Sequence, residues 1–137
     1  MLLEKFKTSK KIEIGKTINE YVKKHYDMNA AKSIESLCNE IEFARNSVIS
    51  FNDKDKSTET LLKWKGVIIE YLKLLNTVRQ RMSFGKDGAS VKLQFSWIDV
   101  LKKDNYSSYS FAFEYYSNLL NLEEHQHKFS CFQNQFF

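Results

Sequence analysis

Proline is absent from the chain, and glycine occurs four times. Without proline, nothing forces a helix to give up a backbone donor or break from within, so long uninterrupted helices are expected. Cysteine occurs twice, at Cys38 and Cys131, too few for a disulfide framework. There is no Walker A loop, no dinucleotide-binding glycine run and no serine in a nucleophile elbow. The carboxylates are scattered over polar faces. These absences argue against the motif-bearing enzyme classes and predict a non-enzymatic protein with no cofactor. No apolar run reaches the roughly 20 residues of a membrane-spanning helix. Met1–Lys5 lacks the apolar stretch of a secretory leader, so a cytoplasmic chain with reduced thiols is expected.

What is present supports a folded domain. The chain has 137 residues, of which 42% are hydrophobic and 15% aromatic, enough to bury one core. The formal net charge of +4 sits at the start: residues 1–32 hold eight lysines against four acids, and the remainder balances. A basic end of this size favours an acidic partner or an anionic membrane surface, and otherwise forms a solvated face. Asn105-Tyr106-Ser107 is a formal glycosylation sequon, without consequence in a cytoplasmic chain.

Helical periodicity dominates. Ile14, Ile18, Tyr21, Val22 and His25 share one face and predict a first helix over 12–25, with His25 at the rim. Ile34, Leu37, Ile41, Ala44 and Val48 form a seam and predict a second helix over 30–49, flanked by Cys38 as a small core hydrophobe. A polar stretch over 52–57 follows, with Ser57 or Thr58 as cap. A third helix is predicted over 58–82, with Leu61, Trp64, Ile68, Tyr71, Leu75 and Val78 in one stripe, widened by Leu62, Ile69 and Leu72. Short connections make these helices antiparallel neighbours.

The period then changes. Val91, Leu93, Phe95 and Trp97 alternate with polar residues, which predicts a half-buried strand over 91–97. A strand needs a partner for its backbone groups, and the weak strand candidate over 2–7 is the available one. A polar loop over 102–107 precedes a fourth helix from about 108, carrying Phe111, Tyr115, Leu119 and Leu122. The expected fold class is therefore mainly α with a small β element, antiparallel helices plus a short sheet.

Two stretches have the composition of a site. Gly85-Lys86-Asp87-Gly88 has the spacing of a backbone-clamping G-x-x-G loop, but joins a helix to a strand rather than two helices. Its glycines serve a turn more simply, and basic residues are not interleaved with aromatics on a sheet, so nucleic acid is not an expected partner. The tail EEHQHKFSCFQNQFF offers Glu124, His125, His127 and Cys131, but lacks the repeated Cys/His pairing of a structural zinc site. The expectation is no metal. The stretch shows no clean helical or strand period.

The order of elements, together with Phe95-Ser96-Trp97-Ile98-Asp99 and the helix carrying Glu114, Leu119 and Asn121, resembles the N-terminal part of the Bro domain. That boomerang-shaped helical domain opens ALIX-type and PalA-type ESCRT adaptors. Phe95, Trp97 and Asp99 match an F-x-W-x-D strand pattern, and Glu114 and Asn121 match a glutamate and asparagine seven residues apart on one helix. Leu120 stands where an aromatic is common. The spacing suits two polar groups bonded inside an apolar interface, a structural rather than catalytic role.

The resemblance covers residues 2–122 and implies the N-terminal third of the domain, followed by a divergent tail over 123–137. Where the family helix continues with small residues, this chain turns to Glu-Glu-His-Gln-His-Lys. The resemblance further implies a scaffold in endosomal sorting, peripheral to endosomes, with ESCRT-III subunits as partners of the complete domain through a groove beyond this chain. A loop with Lys102, Lys103 and Tyr106 falls where some members are thought to touch lipid. Apolar surface on the third and fourth helices implies marginal stability for the piece alone. The alternative is a small basic helical protein that binds a membrane surface or nucleic acid.

Overall fold

In a computed structural model the backbone is described for residues 7–50, 57–99 and 103–136, and side chains for residues 9–50, 57–98 and 103–123. The elements run β1 (Lys7–Ser9), α1 (Ile14–His25), α2 (Met28–Ser33), α3 (Glu35–Ile49), α4 (Thr58–Arg79), β2 (Phe95–Asp99), β3 (Asn105–Ser108) and α5 (Phe111–Phe136). The fold is mainly helical with one small antiparallel sheet of order β1-β2-β3.

The helices form where their apolar faces and ends dictate. Ile14, Ile18 and Val22 recur every fourth residue and are buried on α1, while Lys23, Lys24 and His25 place basic groups against the negative end of its dipole. The Asp27 side chain accepts from the Ala30 amide to cap α2, and Ser57 does the same for α4 from Thr60, as its sequence predicts. His25 is exposed and its ring lies 4.3 Å from that of Tyr21.

The expected single helix over 30–49 is two helices. The break falls at Ile34, with φ −104° and ψ 4°. The Asn19 side chain donates to the Ala31 carbonyl at 2.9 Å, so a tertiary bond takes an acceptor next to the break. Leu62, expected to widen the buried stripe of α4, is 49% exposed.

The alternating residues Val91, Leu93, Phe95 and Trp97 are all buried, but the strand begins only at Phe95. Val91 makes an isolated parallel bridge with Phe84 instead, which closes the turn through Gly85 and Gly88. The partner expected for β2 at the N-terminus is present, shifted to Lys7–Ser9 and paired Lys7 with Asp99 and Ser9 with Trp97; residues 1–6 lie outside the described ones. The polar stretch expected as a loop contains β3, in which Tyr106 pairs with Trp97.

Last, the backbone of α5 is helical through Phe136, which corrects the expectation that the stretch 123–137 follows no helical period. At 26 residues it is about 39 Å long. The core gathers Ile14 and Ile18 of α1, Ile41 of α3, Ile68 and Leu75 of α4, and Phe95 and Trp97 of β2, all under 2% exposed.

Candidate functional site

The one buried ion pair among the described residues lies where α3, α4, α5 and the sheet meet. Glu114 enters from the first turn of α5, where a carboxylate also faces the positive end of the helix dipole. Arg45 enters from α3. Both are fully buried. Arg45 Nε donates to Glu114 Oε2 at 2.7 Å, and Nη2 reaches Oε1 at 3.5 Å. Tyr71 of α4 donates its hydroxyl to Oε2 at 2.5 Å, and Trp97 of β2 donates its indole N–H to Oε1 at 2.6 Å.

The two terminal guanidinium nitrogens are also engaged elsewhere. Nη1 donates to the Lys10 carbonyl at 2.9 Å and Nη2 to Ser9 Oγ at 2.7 Å. Ser9 Oγ in turn donates to the Ser96 carbonyl at 2.5 Å. The guanidinium carbon lies 5.9 Å from the ring centroids of both Phe95 and Trp97, inside cation–π range.

The electrostatics follow from this enclosure. Burial pushes the Tyr71 phenol well above its ordinary value, and the Glu114 charge pushes the same way. For Arg45, burial alone would favour loss of the proton, but the interactions with Glu114 and Tyr71 together outweigh it and the guanidinium is held above its ordinary range. A carboxylate that accepts from Arg, Tyr and Trp at once is locked in place. It is sealed from solvent, and four donor contacts share its two oxygens. The arrangement joins structural elements; it does not present a reactive group.

The residues expected at family positions separate clearly. Phe95, Trp97, Glu114 and Asn121 are all buried, between 0% and 1% exposed. Trp97 touches Glu114 directly. Asn121 lies two turns further along α5. The Asp99 backbone pairs with Lys7, and its side chain lies outside the described residues. Lys102 lies outside them as well. Lys103 has a positive φ of 59°, and Tyr106 is 49% exposed on a strand rather than a loop.

The side chains of Glu124, His125, His127 and Cys131 lie outside the described residues. Among the residues that are described, no group of three His, Cys, Asp or Glu could hold a metal. No helix among them is long and apolar enough to cross a membrane.

Sequence reasoning missed Arg45. Its signal is positional: Arg45 falls between Ala44 and Val48 and four residues after Ile41, inside the apolar seam of α3. It also missed Asn118, buried and donating to the Glu114 carbonyl at 2.8 Å.

A second junction lies where α1 crosses α3. The Gly15 amide, in the first turn of α1, donates to Glu42 Oε1 at 3.0 Å. A Cβ on Gly15 would stand 2.3 Å from the Cys38 carbonyl oxygen, so only glycine permits this approach. Burial raises the Cys38 thiol pKa, which keeps it an inert packing group. A cleft of about 460 Å³ opens beside the crossing, bordered by Lys16, Lys23, Lys32 and Glu35.

The sequence matches the family model described as a BRO1-like domain over residues 1–135. That span includes both junctions and most of the stretch 123–137. Neither the curated proteins nor the solved structures compared with the chain gave a match.

Proposed function

Because the chain belongs to the BRO1-like domain family, we propose that it is a protein-interaction scaffold, of the kind that ESCRT-associated adaptors use in endosomal sorting at multivesicular bodies. The observation that carries this reading is the family match, which spans residues 1–135. The chemistry of the buried centre supports it: Glu114, Arg45 and Tyr71 are consumed in joining helices to the sheet, and this leaves them nothing to offer a substrate. The proposed location is cytoplasmic and peripheral to endosomes. Exposed Lys103 and Tyr106 are the proposed lipid-facing pair, with Lys102 beside them in sequence.

In this reading ESCRT-III subunits are partners of the complete domain, through a groove outside these 137 residues. Affinity purification of the tagged chain from cells, with mass spectrometry, tests the scaffold role. Enrichment of endosomal-sorting proteins is the expected result, and a set dominated by RNA-binding proteins would overturn it. Titrating the purified chain with an ESCRT-III C-terminal helix peptide tests the groove. No saturable binding is expected, and saturable binding would place the groove within the chain.

A further inference from the structure

The α3–α4 face carries two features that each work against an isolated chain. Phe43 on α3 is 75% exposed. Gly66 stands in the interior of the 22-residue α4, where glycine is less favourable than alanine. No contact among the described residues demands that glycine, since a Cβ built on it would meet none of them within 4 Å. Gly15, by contrast, is required by the Cys38 carbonyl. The two features coincide: Phe43 and Gly66 border the same groove of about 260 Å³, together with Ala44 and Val67. The missing side chain of Gly66 deepens the groove, and Phe43 borders it as an apolar wall.

The groove also has a direction. Lys63 and Glu70 border it from positions seven residues apart on α4, about 10 Å along the axis. Among the described residues neither has an ion-pair partner. One end is therefore basic and the other acidic. A helix with acids in its first turn and bases in its last, the distribution its own dipole favours, matches these ends when it lies parallel to α4.

We propose that this groove is a docking site for an amphipathic partner helix that seats a bulky apolar side chain over Gly66 against Phe43. Its acidic N-terminal turn meets Lys63 and its basic C-terminal turn meets Glu70. The recognition is helix-in-groove, with apolar anchors supplying affinity and the end charges supplying orientation. The proposal does not rest on the adaptor reading, which places the ESCRT-III groove outside these residues.

The test uses the full 137-residue chain and two fluorescein-labelled amphipathic helical peptides with the same leucine face. One has acidic residues in its first turn and basic residues in its last; the other has the two charge sets exchanged. Saturable binding is expected for the matched peptide, weakened tenfold or more by the exchange. Gly66→Ala fills the groove, so it is expected to weaken binding by tenfold or more while the thermal midpoint stays level or rises. That combination separates occlusion from misfolding. Phe43→Ala is expected to weaken binding as well.

Failure of the matched peptide to bind, or equal binding by Gly66→Ala, would overturn the proposal. So would light scattering that shows a dimer abolished by Phe43→Ala, since the occupant would then be a second copy. None of these outcomes bears on the endosomal purification, so the two readings fail separately.

Discussion

Glu114 sits in the first turn of α5 and Glu42 reaches from mid-α3 to the start of α1, and their surroundings differ sharply. At the sheet junction Glu114 accepts from Arg45, Tyr71 and Trp97. At the α1–α3 crossing Glu42 accepts from Gly15 through Oε1, while Oε2 is buried without a hydrogen-bond partner among the described residues. The first junction holds its elements by charge and many donors, the second by a close backbone approach with one bond. A charged network tolerates little loss, because each missing partner strands another buried group. A contact built on a glycine tolerates little addition.

The largest expected effect removes the acid at the first junction. Glu114→Ala leaves Arg45 charged and enclosed, and breaking a buried pair in this way costs about 3–5 kcal/mol. Urea denaturation should show a collapsed midpoint or no cooperative transition, and an unchanged midpoint would mean that Arg45 reaches water in the native state. At the second junction Gly15→Ala should cost about 1–3 kcal/mol, the usual range for forced overpacking, because the new methyl meets backbone rather than a yielding side chain. If it costs nothing, α1 can slide on α3 and the contrast between the junctions weakens.

Glu42→Ala is milder. It removes a cap-like acceptor from the start of α1, for an expected loss of about 0.5–2 kcal/mol, and it also removes a buried oxygen that lacks a partner. Thermal melts of the two variants at the crossing should therefore rank Gly15→Ala below Glu42→Ala.

The smallest effect concerns alkaline pH. Tyr71 has its folded pKa raised above the ordinary 10.0, so between the two values the unfolded chain has lost a proton that the native chain keeps. Stability is then full below about pH 10 and falls as pH rises further. Comparing wild type with Tyr71→Phe should show less alkaline loss in the variant, measured as the change in denaturation midpoint between pH 9 and pH 11.

Much of the fold can be read in the sequence where burial imposes a period. The faces of α1, α3 and α4 and the buried set Val91, Leu93, Phe95 and Trp97 are written in spacing alone. Ser57 is legible as a cap because its side chain acts locally. What escaped is set by long-range partners. The break at Ile34 sits beside the Asn19–Ala31 bond, which no local pattern shows. β3 reads as a loop because Asn105-Tyr106-Ser107-Ser108 has no apolar alternation and earns its strand from β2. From residue 122 on, the apolar residues Leu122, Phe129, Phe132 and Phe136 do follow helical spacing, but the polar run 123–128 interrupts the stripe and hides it.

The centre was half legible. Trp97 and Glu114 stood out through family resemblance, and Tyr71 passed as one more apolar stripe member although its hydroxyl is the feature that matters. Arg45 was hidden by the habit of reading a charged residue as exposed.

The pairing of Arg45 with Glu114 spans 69 residues, and β1 waits even longer in sequence for β2. During synthesis the ribosome releases the cation well before its anion exists. Until α5 emerges, α1, α3 and α4 can associate only in a form that leaves Arg45 in water, because closing over it unpaired is too costly. The late acid therefore acts as a completion signal for the nascent chain: the last compaction step cannot precede the arrival of residue 114. The nascent chain should stay an open helical cluster until residue 114 has emerged, and chain-length-resolved protease resistance should rise in one step once it has.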